Sequence, residues 1–220
     1  MTDLRHTAPV DVPLALWHLH RAAAVGERVR VFFPGGADAD LLLEGGGFAA
    51  AGTRLRTLAD CVGPHMRLLV CGLNPSLYAA DAGVGFARPG NRFWPAALAA
   101  GIATVDRDPL ALLTDQRVGM TDIVKRATVG AAEIAPEEYR HGVVRLERLV
   151  GWLQPTAVCF LGFDGWRKAV DPKAVAGWQE RPLGGRPVYV MPNPSGLNAH
   201  TNVAALAAHF TAAVSSPPWP

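Results

Sequence analysis

Two short polar stretches carry the side chains best suited to chemistry in this 220-residue chain. The first is Gly72-Leu73-Asn74-Pro75-Ser76, directly after the apolar run Leu68 to Cys71. An amide donates and accepts hydrogen bonds but is no strong base, so Asn74 suits orienting a ligand or a water. The stretch continues through Gly83, Gly85, Pro89 and Gly90 to Asn91, where Arg92, Phe93 and Trp94 open an amphipathic segment. The second stretch is Asn193-Pro194-Ser195-Gly196-Leu197, directly after the apolar run ending at Met191. Asn193 and Ser195 supply donors and acceptors, and Gly196 lets the backbone approach a ligand closely. Leu197, apolar in a polar loop, reads either as a cap over the core or as a wedge.

Both stretches need strands to deliver them. Buried strands are expected at 68–71, 118–124, 156–162 and 187–191, alternating with helices at 94–100, 110–113, 136–153, 165–169 and 202–213. The longest of these helices carries an apolar stripe of Val143, Val144, Leu146, Leu149 and Val150. Apolar strands between helices imply an α/β fold: a three-layer α/β/α sandwich around a central, mostly parallel sheet. Ligands bind at the carboxyl ends of such strands, so the two polar loops meet if their strands are parallel and central. Residues 72–91 read as one long mobile crossover. Residues 1–60 form an N-terminal extension, a small α/β packing segment with a helix at 14–24, a strand at 28–33 and a helix at 37–44. Residues 61–214 form the main domain and 215–220 a loose tail.

Composition narrows the classes. The net charge of +2 is too small to argue nucleic acid by itself. Three cysteines, Cys61, Cys71 and Cys159, are too few for a four-thiolate site, and no metal or cofactor is expected. No apolar run reaches the ~18 residues of a membrane span, and no secretory signal opens the chain, so a cytoplasmic monomer is expected. Neither a nucleophile elbow nor a G-x-G-x-x-G loop stands at a strand end, which argues against a small-molecule hydrolase or dinucleotide enzyme.

Gly72-Leu73-Asn74-Pro75-Ser76, Gly85-Phe86-Ala87-Arg88-Pro89-Gly90-Asn91-Arg92-Phe93-Trp94 and Asn193-Pro194-Ser195-Gly196-Leu197 together resemble the signature of mismatch-specific uracil-DNA glycosylases. These form the Mug/thymine-DNA glycosylase branch of the uracil-DNA glycosylase superfamily. The likeness spans roughly residues 66–213. It implies hydrolysis of the N-glycosidic bond of uracil flipped out of G·U double-stranded DNA, without a cofactor, to initiate base excision repair. By this resemblance Asn74 orients the attacking water, Phe86 stacks on the base, and the backbone near Leu73 and Phe86 donates to base oxygens. Asn91 and Asn193 complete the base pocket. Ser195, Gly196, Leu197, Asn198 and His200 form the loop that fills the vacated stack. Arg88, Arg92, Lys125 and Arg126 are candidate phosphate contacts.

The chain departs from the family pattern in three places. Asn198-Ala199-His200 replaces the usual Ser-Arg continuation of the wedge loop. Tyr78 stands where small hydroxyl residues are common, either narrowing the pocket against a thymine methyl or packing as a lid. Asp122 follows the G-x-T turn where Lys or Asn is common. A carboxylate there either activates water and stabilises a cationic sugar, or caps a helix or pairs with Lys125. Alternative functions are release of hypoxanthine, xanthine, ethenocytosine or G·T thymine by the same machinery, or mismatch binding without catalysis.

Overall fold

The computed structural model describes residues 1–196, 198 and 201–215. In chain order its elements are β1 (Thr2–Asp3), α1 (Val12–Ala22), β2 (Val31–Phe32), α2 (Ala39–Gly45), β3 (Leu68–Gly72), α3 (Leu77–Ala82), α4 (Phe93–Ala99), α5 (Pro109–Gln116), β4 (Val118–Asp122), α6 (Pro136–Leu153), β5 (Val158–Leu161), α7 (Phe163–Ala169), β6 (Gly177–Leu183), β7 (Arg186–Met191) and α8 (Val203–Val214). The central sheet has the order β4-β3-β5-β7-β6. Its first four strands run parallel, and β6 pairs antiparallel with β7. Every residue of β3, β4 and β5 is buried, as continuous apolar runs covered on both faces require. Helix α4 packs on α8 and α6 on α7, forming the helical layers that flank the sheet. The expected mixed α/β architecture is therefore present.

Three elements differ from the sequence expectation. Residues 72–91 are not one loop, because α3 interrupts them. Ser76 caps that helix by accepting the Ala79 N–H at 3.1 Å, and Gly83 ends it with φ +66°. Strand β6 went unforeseen because it is a polar edge strand, exposed at Glu180, Arg181 and Pro182. The Gly184-Gly185 pair, both at positive φ, closes its hairpin with β7 and was the available signal. The strand expected at 28–33 shrinks to Val31–Phe32, which pairs with Thr2–Asp3.

The N-terminal residues build a small core of Leu4, Val12, Leu16, Leu42 and Phe48. Trp17 and Leu41, by contrast, join the main core. All three cysteines are buried and free. Burial pushes each thiol up, that of Cys61 to about 12.

Helix α6 seats the carboxyl end of β4 through a glycine. A Cβ on Gly142 would lie 2.2 Å from the Ile123 carbonyl oxygen. Ala is intrinsically the better helix former, by about 1 kcal/mol. Gly142→Ala should nevertheless destabilise the protein by about 1–3 kcal/mol, because backbone cannot yield as a side chain does. Urea denaturation measures the sign, and a higher midpoint for the variant would contradict this packing.

Candidate active site

The parallel strands β3 and β4 end in register, with Gly72 beside Asp122. Past Gly72, the chain turns outward and presents Asn74. Its Nδ2 donates to the Arg126 carbonyl at 3.0 Å, the Thr128 hydroxyl at 2.8 Å and the Pro75 carbonyl at 3.2 Å. Two of these partners are carbonyls, which only accept, so the amide has one workable orientation. Its Oδ1 receives no hydrogen bond from the described residues, and Asn74 lines a cavity. Thr128, which fixes this arrangement, was not singled out from the sequence.

Asp122 is buried, yet its carboxylate accepts no side-chain hydrogen bond among the described residues. A Cβ on Gly72 would stand 2.4 Å from Asp122 Oδ1 and 3.0 Å from Phe86 Cζ. Only glycine at 72 lets the carboxyl and the aromatic ring converge there. Phe86 adopts φ +59°, uncommon for a non-glycine residue, and its ring stacks on buried Phe93 at 4.5 Å with 24° between planes. Loss of solvation raises the Asp122 carboxyl to about 6, with the Asp60 charge pushing the same way and Lys125 and Arg145 opposing. Neither structural alternative for Asp122 is realised. The residue ends a strand and caps no helix, and Lys125 pairs elsewhere.

Lys125 belongs to a buried charge cluster beneath the strand ends. Asp60 accepts from Lys125 Nζ, Arg145 Nη1 and Thr121 Oγ1, each at 2.7 Å. Arg145 also donates to the Asp122 carbonyl at 2.6 Å and to Thr121 Oγ1 at 3.1 Å. These bonds hold the Asp60 carboxylate below its usual value despite full burial. Arg145 occupies the buried face of α6 with Gly142, Leu146 and Leu149. A charged residue inside that apolar stripe was the sequence signal that could have found it.

The second polar loop meets the first. Arg92 N–H donates to the Pro194 carbonyl at 2.9 Å, and a Cβ on Gly196 would strike the Gly90 carbonyl at 2.6 Å. The Arg92 guanidinium donates to the carbonyls of Ser195, Asn198 and Thr201. Asn193 Oδ1 accepts the Ser195 N–H at 2.9 Å, and Asn198 Nδ2 donates back to the Asn193 carbonyl at 3.0 Å. Asn91 Oδ1 accepts the Phe93 N–H at 2.9 Å, so it shapes its own turn, and the tie between the loops falls to Arg92.

Several expected contacts need correction. Arg92 is committed to loop carbonyls and Lys125 is buried against Asp60, so neither is available to a phosphate. Arg126 is exposed but held by Glu138, at 2.8 and 2.9 Å, and by the Glu133 carbonyl. Arg88 is exposed at the cavity and makes no hydrogen bond or ion pair among the described residues. Tyr78 is 52% exposed and lines no part of this cavity, because the first turn of α3 turns Ala79 inward instead. Leu197 and His200 lie outside the described residues.

The cavity has a volume of about 180 Å³ and is lined by residues that include Leu73, Asn74, Phe86, Asn91, Asp122, Asn193 and Ser195. That is below the roughly 300–1,000 Å³ typical of sites for drug-sized ligands, and suits a small heterocycle. A neighbouring cavity of about 420 Å³ shares Leu73, Leu161 and Asn193, but among the described residues Asp164 is the only charged one that lines it. The smaller cavity is therefore the one that brings Asn74, Phe86 and Asp122 together. Among the described residues, no three His, Cys, Asp or Glu side chains converge as a metal site. Nor is any helix among them long and apolar enough to cross a membrane.

The model of the uracil DNA glycosylase superfamily matches residues 60–215. The chain belongs to the uracil DNA glycosylase superfamily. A solution NMR structure from Methanosarcina acetivorans, named a "putative Uracil DNA glycosylase", is similar in fold, with a TM-score of 0.50 at 20% identity. The match covers 71% of this chain and 96% of that one. Superfamily membership supports DNA glycosylase activity, a hydrolase function on DNA, and places the Asn74 and Asn193 loops within the matched region.

The raised carboxyl value of Asp122 makes stability depend on pH. The folded state binds this proton more tightly than the unfolded chain, whose value lies near 3.8. Its contribution is therefore full below about pH 4 and is lost as pH rises through about 6. Asp122→Asn should melt higher than the parent at pH 7, by on the order of 1–3 kcal/mol, and lose that advantage at pH 4. Thermal melts across this range test the sign.

Proposed function

We propose that this superfamily member is a monofunctional glycosylase of the Mug/thymine-DNA glycosylase branch that releases uracil from G·U mismatched duplex DNA. The observation that carries the reading is the convergence of Asn74, Asp122 and Phe86 on one small cavity. The face of Phe86 not covered by Phe93 stacks on the flipped base, whose extrusion costs least where pairing is already weak. The Asn74 Oδ1 accepts a hydrogen bond from a water and aims its oxygen at the sugar C1′. The C1′–N bond breaks with its electron pair leaving on the base, and the water oxygen forms the new bond to C1′. Asp122, ionised, stabilises the positive charge on the sugar and takes the proton that the water loses. Backbone near Leu73 and Phe86 meets the base oxygen that gains charge. Arg88 is the phosphate contact left by the geometry, and the loop from Ser195 through Asn198, with Leu197 and His200, fills the vacated stack. We place the enzyme in the cytoplasm as a monomer.

Single-turnover base release from G·U duplex tests the assignment. Asp122→Asn should slow release by roughly 10²–10⁴-fold, the range of a lost general-base contribution, and Asn74→Ala by on the order of 10²-fold, as lost positioning of the water does. Because the Asp122 carboxyl titrates at about 6, the parent rate should rise with pH through that value, and the Asn variant should lose the step. An Asp122→Asn enzyme with full rate would remove the residue from the mechanism. A panel of G·U, A·U, G·T, single-stranded uracil, hypoxanthine and ethenocytosine substrates defines the base. Release from none of them would reject the glycosylase reading.

A further inference from the structure

Leu58 lies two residues ahead of the region matched by the superfamily model, yet it lines the same small cavity as Asn74, Phe86 and Asp122. It is 9% exposed, and its Cδ1 lies 3.8 Å from the point a Cβ on Gly85 would occupy. Its side chain therefore abuts the backbone that sets the Phe86 ring. The same leucine also borders a second small space, shared with Trp17, Phe86 and Asp122.

The segment around Leu58 is fastened on every side. The Thr57 hydroxyl donates to the Lys125 carbonyl, and Asp60 N–H donates to the Gly45 carbonyl at 2.7 Å. Arg56 grips Asp81 of α3 through two hydrogen bonds, the Nε contact at 2.7 Å. From α1, Arg21 donates to the Gly83 carbonyl at 2.7 Å while lying 4.9 Å over the Trp17 ring. The N-terminal segment thus holds both the α3 helix and the turn that leads to Phe86.

We propose that Leu58 is a specificity-determining wall of the base cavity, supplied by the N-terminal segment. This rests on the glycosylase reading of the site. A branched apolar side chain offers no hydrogen bond, so it selects by shape, accepting a compact pyrimidine and opposing one that carries extra atoms against it. An apolar wall of this kind discriminates about 10–200-fold per methylene.

Single-turnover release of uracil, thymine and ethenocytosine, each opposite guanine, reads the wall. Leu58→Ala should raise release of thymine or ethenocytosine relative to uracil by about tenfold or more, and Leu58→Phe should lower the same ratio. Leu58→Val, a smaller change, should move the ratio in the alanine direction and stands in if the alanine variant does not fold. Ratios unchanged in Leu58→Val and Leu58→Phe, with uracil release intact, would overturn the proposal while leaving the glycosylase reading standing. If the parent releases no base at all, that reading falls, and saturation-transfer NMR with free uracil and thymine reads the wall without chemistry. Variants with unaltered preference between the two free bases would then overturn it.

Discussion

The carboxyl end of the sheet depends on a buried carboxylate with three partners. Asp60 reaches in from the N-terminal side, Arg145 from helix α6, and Lys125 from the loop that leaves β4. Taking these charges out of water is expensive, and the cost is offset by their mutual attraction and by hydrogen bonds to the remaining groups. Thr121 and the Asp122 carbonyl supply two such partners, while Arg145 Nε finds none among the described residues. The cluster therefore ties the N-terminal side and helix α6 to the last two residues of β4 and the loop that follows them. A site built on a loop alone would lack this rigidity, and orientation to within a fraction of an ångström is what hydrolysis by positioning demands.

Above the cluster, the arrangement works by omission as much as by contact. Gly72 leaves room for a carboxyl and an aromatic ring to share one point. Phe86 accepts an uncommon backbone conformation, and Phe93 behind it keeps the ring in place. Asn74 turns its amide nitrogen to fixed acceptors, and its oxygen accepts no hydrogen bond from the described residues. Arg92 draws the two loops together by binding main-chain carbonyls, so this cation serves shape rather than charge.

Much of this was legible in the sequence where local chemistry announces itself. The buried strands are continuous apolar runs, and the two asparagine-proline loops stand at their ends, so the architecture and the meeting of the two loops followed from pattern. Tertiary partners were not legible. Nothing local distinguishes Arg88, which is exposed without a described partner, from Arg92, Lys125 or Arg126, whose partners lie in other elements. Helix α3 was hidden because alanines beside glycines read as loop, and β6 because a solvated edge strand lacks apolar alternation. Leu58 carried no signal at all, since a single leucine becomes a wall only when Arg56 and Thr57 pin its neighbours.

The cysteines bear on the conditions under which such a protein works. Cys71 sits one residue before Gly72 in β3, and Cys159 lies in the adjacent strand β5, opposite Val70. Oxygen added to either sulfur would need volume and hydration that a closed sheet interior does not offer. Their thiols are held protonated by burial, and it is the thiolate that peroxides and alkylating agents attack. Peroxides and alkylating agents thus find no ionised thiol at either position in the sheet beneath the site.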